Sequence, residues 1–338
     1  MTAARNSRGL KIGARFALLA GITLIIVLVA YQGFDEVGRV VFSAGWGIAA
    51  VTVFHLFPIA SSASAWRRAT RSAWRGGATV FLWARLVREA VNGLLPVTQI
   101  GGDVVGARLL TFHGARAGVA AASVLVDLTL EFMTQIVFTV IGLGLLLRHG
   151  GENVTNWVIV GLAVALPAAA GFALAQRWGL FRLLERLLEW IAAQLGWSSP
   201  GALANLHETA LSLYRQRSAV AIACLWHMLA WFLGAVEVWL TLLFLDARTG
   251  FTEALVIESL GQAIRTAAFL MPGAFGIQET GYLVLGGLFG LSPQVALSVS
   301  LIKRIRELLI GVPAMLAWQA IEGRRLLAPA DCKENDRG

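Results

Sequence analysis

Charge is what this chain has least of. Only 14% of its 338 residues are charged and 57% are apolar, against about 25% charged and about 45–50% apolar in soluble domains. That excludes an ordinary water-soluble globule, and a mean hydropathy of +0.70 excludes disorder. Cysteine is nearly missing. Cys224 in an apolar run and Cys332 in a polar tail exclude a disulfide framework and a four-ligand metal centre. The histidines are scattered without metal spacing, and no HExxH, Walker loop or nucleophile elbow occurs. Metal, nucleotide and hydrolase chemistry are therefore not expected, nor is any cofactor. The net charge of +8 would suit nucleic acid, but basic residues retained in cytoplasmic loops give the same excess. No nucleic-acid partner is expected.

Long uncharged or nearly uncharged runs are what the chain has in abundance. They cover 16–34, 40–66, 117–147, 153–176, 218–245 and 293–321, each near the ~20 residues a helix needs to cross hydrocarbon. The first follows Arg5, Arg8, Lys11 and Arg15 and is long enough to be a retained helix rather than a cleaved signal. With the N-terminus placed inside, eighteen basic residues fall in inner loops and only Arg39, Arg148 and Arg248 fall outside. That bias orients the chain with both termini cytoplasmic.

Two apolar segments, 79–112 and 252–290, do not fit as spans. Each is broken near its middle, the first at Pro96 with Gly101 and Gly102, the second at Pro272 with Gly273 and Gly276. Proline removes a helical donor and glycine loosens the backbone, so each segment is expected to be a re-entrant hairpin of two short helices. The two resemble each other at an offset of 176 residues, which pairs Pro96 with Pro272, Asp103 with Glu279, Gly114 with Gly290, Ala120 with Ala296 and Glu131 with Glu307. The assigned orientation makes these repeats inverted, the architecture in which transporters set a substrate site near the midplane. The expected fold is an all-α polytopic membrane protein with about six spans and two re-entrant hairpins. Its divisions are a cytoplasmic N-terminus at 1–15, a first membrane half at 16–176, a cytoplasmic amphipathic excursion at 177–217, a second half at 218–321 and a tail at 322–338.

Charges at membrane depth are the informative positions, since each costs roughly 2.5–3.5 kcal/mol at a helix centre unless paired or wet. Asp127 and Glu131 share one face of the 117–147 helix, while Lys303, Arg304, Arg306 and Glu307 crowd one turn of the last. Counted from their respective ends, both groups reach the midplane. They are expected to face each other with positive charge left over for a phosphate headgroup; pairing of Lys303 with Glu307 within the helix is the structural alternative. Asp103 and Glu279 follow the breaks, placed either to cap the next helix or to bind a coupling proton. Arg88, Glu89, Arg108 and Arg265 flank the breaks and are candidates for the same cavity, Arg108 otherwise snorkelling to the inner interface. The Gly286–Gly290 spacing reads as helix packing. Trp46, Trp66, Trp157 and Trp318 read as interface anchors.

The stretch Leu94-Leu95-Pro96, Gly101-Gly102-Asp103, Arg108-Leu109-Leu110 and Ser123 to Asp127 resembles the lysylphosphatidylglycerol-synthase-type transmembrane family, also called flippase-like. The second half agrees through Pro272-Gly273-Ala274-Phe275-Gly276-Ile277-Gln278-Glu279 and the charged turn at Arg304. The run from Ser123 to Glu131 looks closest to the hopanoid-biosynthesis-associated branch of bacterial inner-membrane proteins. Relatives often carry a basic residue about a turn before the position of Asp127, where this chain has Val124. The resemblance implies a lipid-translocating fold without the soluble aminoacyl-transferase domain, so lysyl transfer is not expected. It implies membrane lipids as partners, hopanoid or anionic phospholipid, and lipid-biosynthesis proteins. The expected function is lipid movement between leaflets, passive or ion-coupled; the alternatives are a membrane-embedded enzyme using Asp127, Glu131 or Glu279 as acid or base, and a scaffold.

Overall fold

The computed structural model describes residues 44–94, 101–149, 206–267 and 277–327, and these are helical throughout apart from short turns. The chain is an all-α polytopic membrane protein. Helices α1 (Trp46–Phe54) and α2 (Leu56–Thr70) form one rod interrupted at His55. Proline explains the interruption. Pro58 has no N–H to offer the Phe54 carbonyl, so the ladder loses a rung beside His55. Then follow α3 (Ala78–Leu94), α4 (Gly101–Phe112), α5 (Ala117–His149), α6 (Leu206–Tyr214), α7 (Arg217–Phe244), α8 (Phe251–Ala267), α9 (Ile277–Leu288) and α10 (Pro293–Leu327).

Three rods are long and apolar enough to cross a membrane, namely Trp46–Thr70, Ala117–Arg148 and Arg217–Phe244. They fall on the expected spans 40–66, 117–147 and 218–245. Helix α10 has the length, at 35 residues, but charges interrupt its apolar run. The expected spans 16–34 and 153–176 lie outside the described residues.

The internal repeat is visible in the backbone. Helices α3, α4 and α5 contain 17, 12 and 33 residues, and α8, α9 and α10 contain 17, 12 and 35. The starts of α4 and α5 lie 176 residues before those of α9 and α10. Between them the same turn recurs. The Gly114 N–H donates to Thr111 O and the Ala115 N–H to Leu110 O; in the second copy the Gly290 N–H donates to Gly287 O and the Leu291 N–H to Gly286 O. Both Gly114 (φ 94°) and Gly290 (φ 72°) are left-handed, which glycine adopts without steric cost at a helix end. Gly290 therefore terminates a helix, which corrects its reading as part of a packing motif. Gly286 does pack, with its face against Ala296 and Leu291.

Helix α3 packs on α4, and α8 on α9, as two hairpins. The two copies interlock, since α3 packs against α10 of the other copy and α8 against α5. One apolar core surrounds Trp66 and Phe81, with residues from α2 to α5. Another gathers Leu146, Leu242, Ile257, Tyr282 and Val299 from α5, α7, α8, α9 and α10. Trp66 is fully buried and donates its Nε1–H to Ser123 Oγ at 3.1 Å. It is a core residue, contrary to its expected place at the interface, because it fills the space between α2 and α5. Trp46, at 89% exposure, does face outward. In the 177–217 excursion only the last part is described. There α6 buries Leu206, Ala210 and Leu213 against Ala121, Ala122 and Leu125 of α5, so it is a packed helix.

Candidate functional site

Two ionic centres lie where the copies meet. The first is built by spacing. Arg85, Arg88 and Glu89 project from neighbouring positions of α3, and Asp127 and Glu131 sit four apart on α5, one helical turn. Arg85 grips Glu131 in a fork, Nη2 to Oε1 at 2.5 Å and Nη1 to Oε2 at 2.9 Å, and its Nε donates to Glu89 Oε1 at 2.7 Å. Arg88 donates to Asp127 Oδ2 at 2.6 Å, pairs with Asp103 through Nε, and lies over the Trp66 ring at 5.7 Å. His227 of α7 closes the far side of Asp127, Nε2 to Oδ1 at 3.0 Å. Asp127 has no exposed surface.

The second centre gathers α7, α8, α9 and α10. Lys303 donates to Glu258 Oε2 at 2.5 Å and to Tyr282 Oη at 2.9 Å, and Gln262 donates to the other oxygen of Glu258 at 2.8 Å. Arg265 and Arg304 share Glu307, at 3.0 and 3.2 Å, and Arg304 lies 4.0 Å from Glu279. Arg306 is held by Glu237 of α7. His55, at the interruption of the first rod, joins the centres. Its Nδ1 lies 2.6 Å from Glu237 Oε2 and its Nε2 3.9 Å from Glu89 Oε2.

This arrangement corrects the expected pairing. Asp127 and Glu131 do not face Lys303 and Arg304. Each cluster finds its counter-ions nearer by, on the helix packed beside it, because a charge buried in hydrocarbon must be neutralised at hydrogen-bond distance. Lys303 pairs with Glu258 rather than with Glu307 of its own helix. The expected surplus of positive charge is also absent among the described residues. Arg85, Arg88, Arg265, Lys303, Arg304 and Arg306 are six cations; Glu89, Asp103, Asp127, Glu131, Glu237, Glu258, Glu279 and Glu307 are eight carboxylates.

Around the breaks, Gly101 and Gly102 open α4, and the Gly102 N–H donates to Asn92 Oδ1 at 2.7 Å. The side chain of Asn92 thus meets the exposed donor, and Asp103 is spent on Arg88. Arg108 is held by the end of α10. Its Nη2 donates to Glu322 at 2.6 Å and its guanidinium stacks 4.8 Å from the Phe112 ring. Pro96, Pro272, Gly273 and Gly276 lie outside the described residues.

Sequence reasoning passed over Glu237 and Glu258, which lie in runs read as apolar. The cost of a charge at membrane depth would have marked both. His55 and His227 were set aside for lacking metal spacing. A search for imidazoles at the depth of a carboxylate would have kept them.

The chain belongs to the lysylphosphatidylglycerol synthase transmembrane family: the family model described as "Lysylphosphatidylglycerol synthase TM region" matches residues 18–314. No curated protein gives a match, and neither does any solved structure. Membership makes this a membrane protein with a lipid-related function.

Proposed function

We propose that this family member moves a lipid, hopanoid or phospholipid, between the leaflets of a bacterial inner membrane, and that it does so without covalent chemistry. The observation that carries the reading is the repeated helical unit, each copy holding a buried ionic centre, with His55 reaching both centres. Repeats of this kind can rock about a central site, giving it access to one side and then the other. A headgroup crossing hydrocarbon alone would lose its hydrogen bonds, and a polar seam supplies replacements while the apolar tail stays in lipid. The surplus of carboxylates favours a headgroup rich in hydrogen-bond donors, hydroxyls or an ammonium, over a bare phosphate. This sequence has no nucleotide-binding motif, so the movement is passive or ion-coupled. Both termini are proposed to face the cytoplasm, a reading that the distribution of basic residues supports.

Leaflet exchange in reconstituted vesicles tests this directly. Fluorescent analogues of a polyol-bearing hopanoid, phosphatidylethanolamine and phosphatidylglycerol would be followed by quenching of the outer leaflet. Faster exchange than in protein-free vesicles for at least one of them is expected, and no acceleration for any would reject the reading. In a deletion strain, lipid should be redistributed between leaflets; disappearance of a modified lipid would instead indicate an enzyme.

A further inference from the structure

We propose that His55 is a proton-binding site and that it couples the lipid movement proposed above to a proton gradient, by exchanging Arg306 for Glu237 as the partner of one ring nitrogen. Nδ1 of His55 lies 2.6 Å from Glu237 Oε2 and 2.9 Å from Arg306 Nη1. A guanidinium only donates and a carboxylate only accepts. One nitrogen cannot serve both. Without a proton, Nδ1 accepts from Arg306 and its lone pair opposes the carboxylate. With a proton, it donates to Glu237 and the imidazolium opposes the guanidinium. Each state frustrates one neighbour, so gain or loss of one proton changes which contact holds.

The groups facing His55 come from every packed direction: Glu237 from α7, Arg306 from α10, and Glu89 from α3, 3.9 Å from Nε2. Arg85 stands behind Glu89 at 2.7 Å, and Glu307 behind Arg306 at 3.7 Å. The His55 contacts therefore tie the first rod and α3 to helices of the second copy. Side-chain exposure is 34% at Glu89, 19% at His55 and 1% at Glu237. Pro58 fixes the interruption that puts the imidazole there. His227 differs, since its Nε2 lies 3.0 Å from Asp127 and, among the described residues, no guanidinium competes for that nitrogen.

The step balances without electrons. One proton leaves water on one face and bonds to Nδ1; the same proton is released to water on the other face when Nδ1 returns to Arg306. Uptake brings the described seam, with six cations and eight carboxylates, closer to neutrality. A seam nearer neutrality crosses hydrocarbon at lower cost while the copies rearrange.

Two measurements on the full chain decide it. In nanodiscs with 15N-labelled histidine, the His55 resonance is assigned by its loss in His55→Gln. It is expected to pass from unprotonated to protonated Nδ1 between about pH 9 and about pH 5, and Glu237→Gln, which removes the anionic acceptor, is expected to displace that transition to lower pH. A His55 that keeps one protonation state across the range overturns the proposal. In vesicles, a gradient of one pH unit is about tenfold in proton activity, and the wild-type exchange rate is expected to change by up to about tenfold when it is imposed. His55→Gln is expected to lose this response. Wild-type exchange that ignores the gradient overturns the coupling. Titration of His55 with no exchange of any lipid overturns the lipid reading and the coupling together, while upholding the proton site.

Discussion

Asp127 makes three buried contacts, to Arg88 at 2.6 Å, Arg85 at 3.5 Å and His227 at 3.0 Å. Its worth lies less in the attraction than in what its loss would leave behind. Asp127→Leu removes the carboxylate that Arg88 and His227 share, and although Arg88 keeps Asp103 and Arg85 keeps Glu131 and Glu89, the loss should approach the roughly 3–5 kcal/mol of removing one partner from a buried pair. Thermal unfolding of the detergent-solubilised protein should show this as a large loss of melting temperature. Replacing Arg71, which is exposed and outside the seam, should leave the midpoint within the error of the measurement. The residues of this seam were legible in the sequence as costly charges, and Asp103, Arg88 and Glu131 do meet. Their partners were not legible. Spacing along one helix says which side chains share a face, but which foreign helix supplies the counter-ion depends on packing, and here α3 and α7 supplied what α10 had been expected to give.

At the scale of the element, glycines set how closely the hairpin helices approach and where they stop. A Cβ on Gly102 would lie 2.2 Å from the Arg88 carbonyl and 2.5 Å from Asn92 Oδ1. Gly102→Ala must therefore push α4 off α3 and break the Asn92 contact, disturbing Arg88 and Asp103 at the same time. Gly93→Ala is the control. Nothing lies within 4 Å of its Cβ, so it should gain up to about 1 kcal/mol from helix propensity alone. Opposite shifts in unfolding midpoint for these neighbouring substitutions would confirm the close approach. Gly114 and Gly290 act through the backbone instead, with open space around both and left-handed φ. Alanine at either should cost about 1–2 kcal/mol, and the two losses should agree, since the turns are copies. The repeat was readable in the sequence at this scale because glycine and proline mark chain geometry directly. What sequence could not give was the function of each mark: Gly290 reads equally as a packing residue or a helix stop until its φ is known.

At the scale of the whole molecule, the described basic residues sort into populations with different physics. Arg71, Arg75, Arg116, Arg215 and Arg248 lie in turns between helices, where basic residues bias orientation; others are buried in ion pairs across helices. Three of the expected spans and the all-α class were legible because length and hydropathy suffice to recognise them. The proposed orientation rests on the basic residues assigned to inner loops from the sequence, and the chain's own cysteines make it testable. With both termini inside, Cys332 should resist a membrane-impermeant maleimide in intact cells and react with a permeant one, in a Cys224→Ser background. Arg248 follows α7 in a turn expected to face the opposite side. Cysteine introduced there, with both native cysteines replaced, should react with the impermeant reagent. Labelling of Cys332 by that reagent, or protection of the cysteine at 248, would reverse the orientation. It would also reverse the direction in which the proton proposed to bind His55 crosses the membrane.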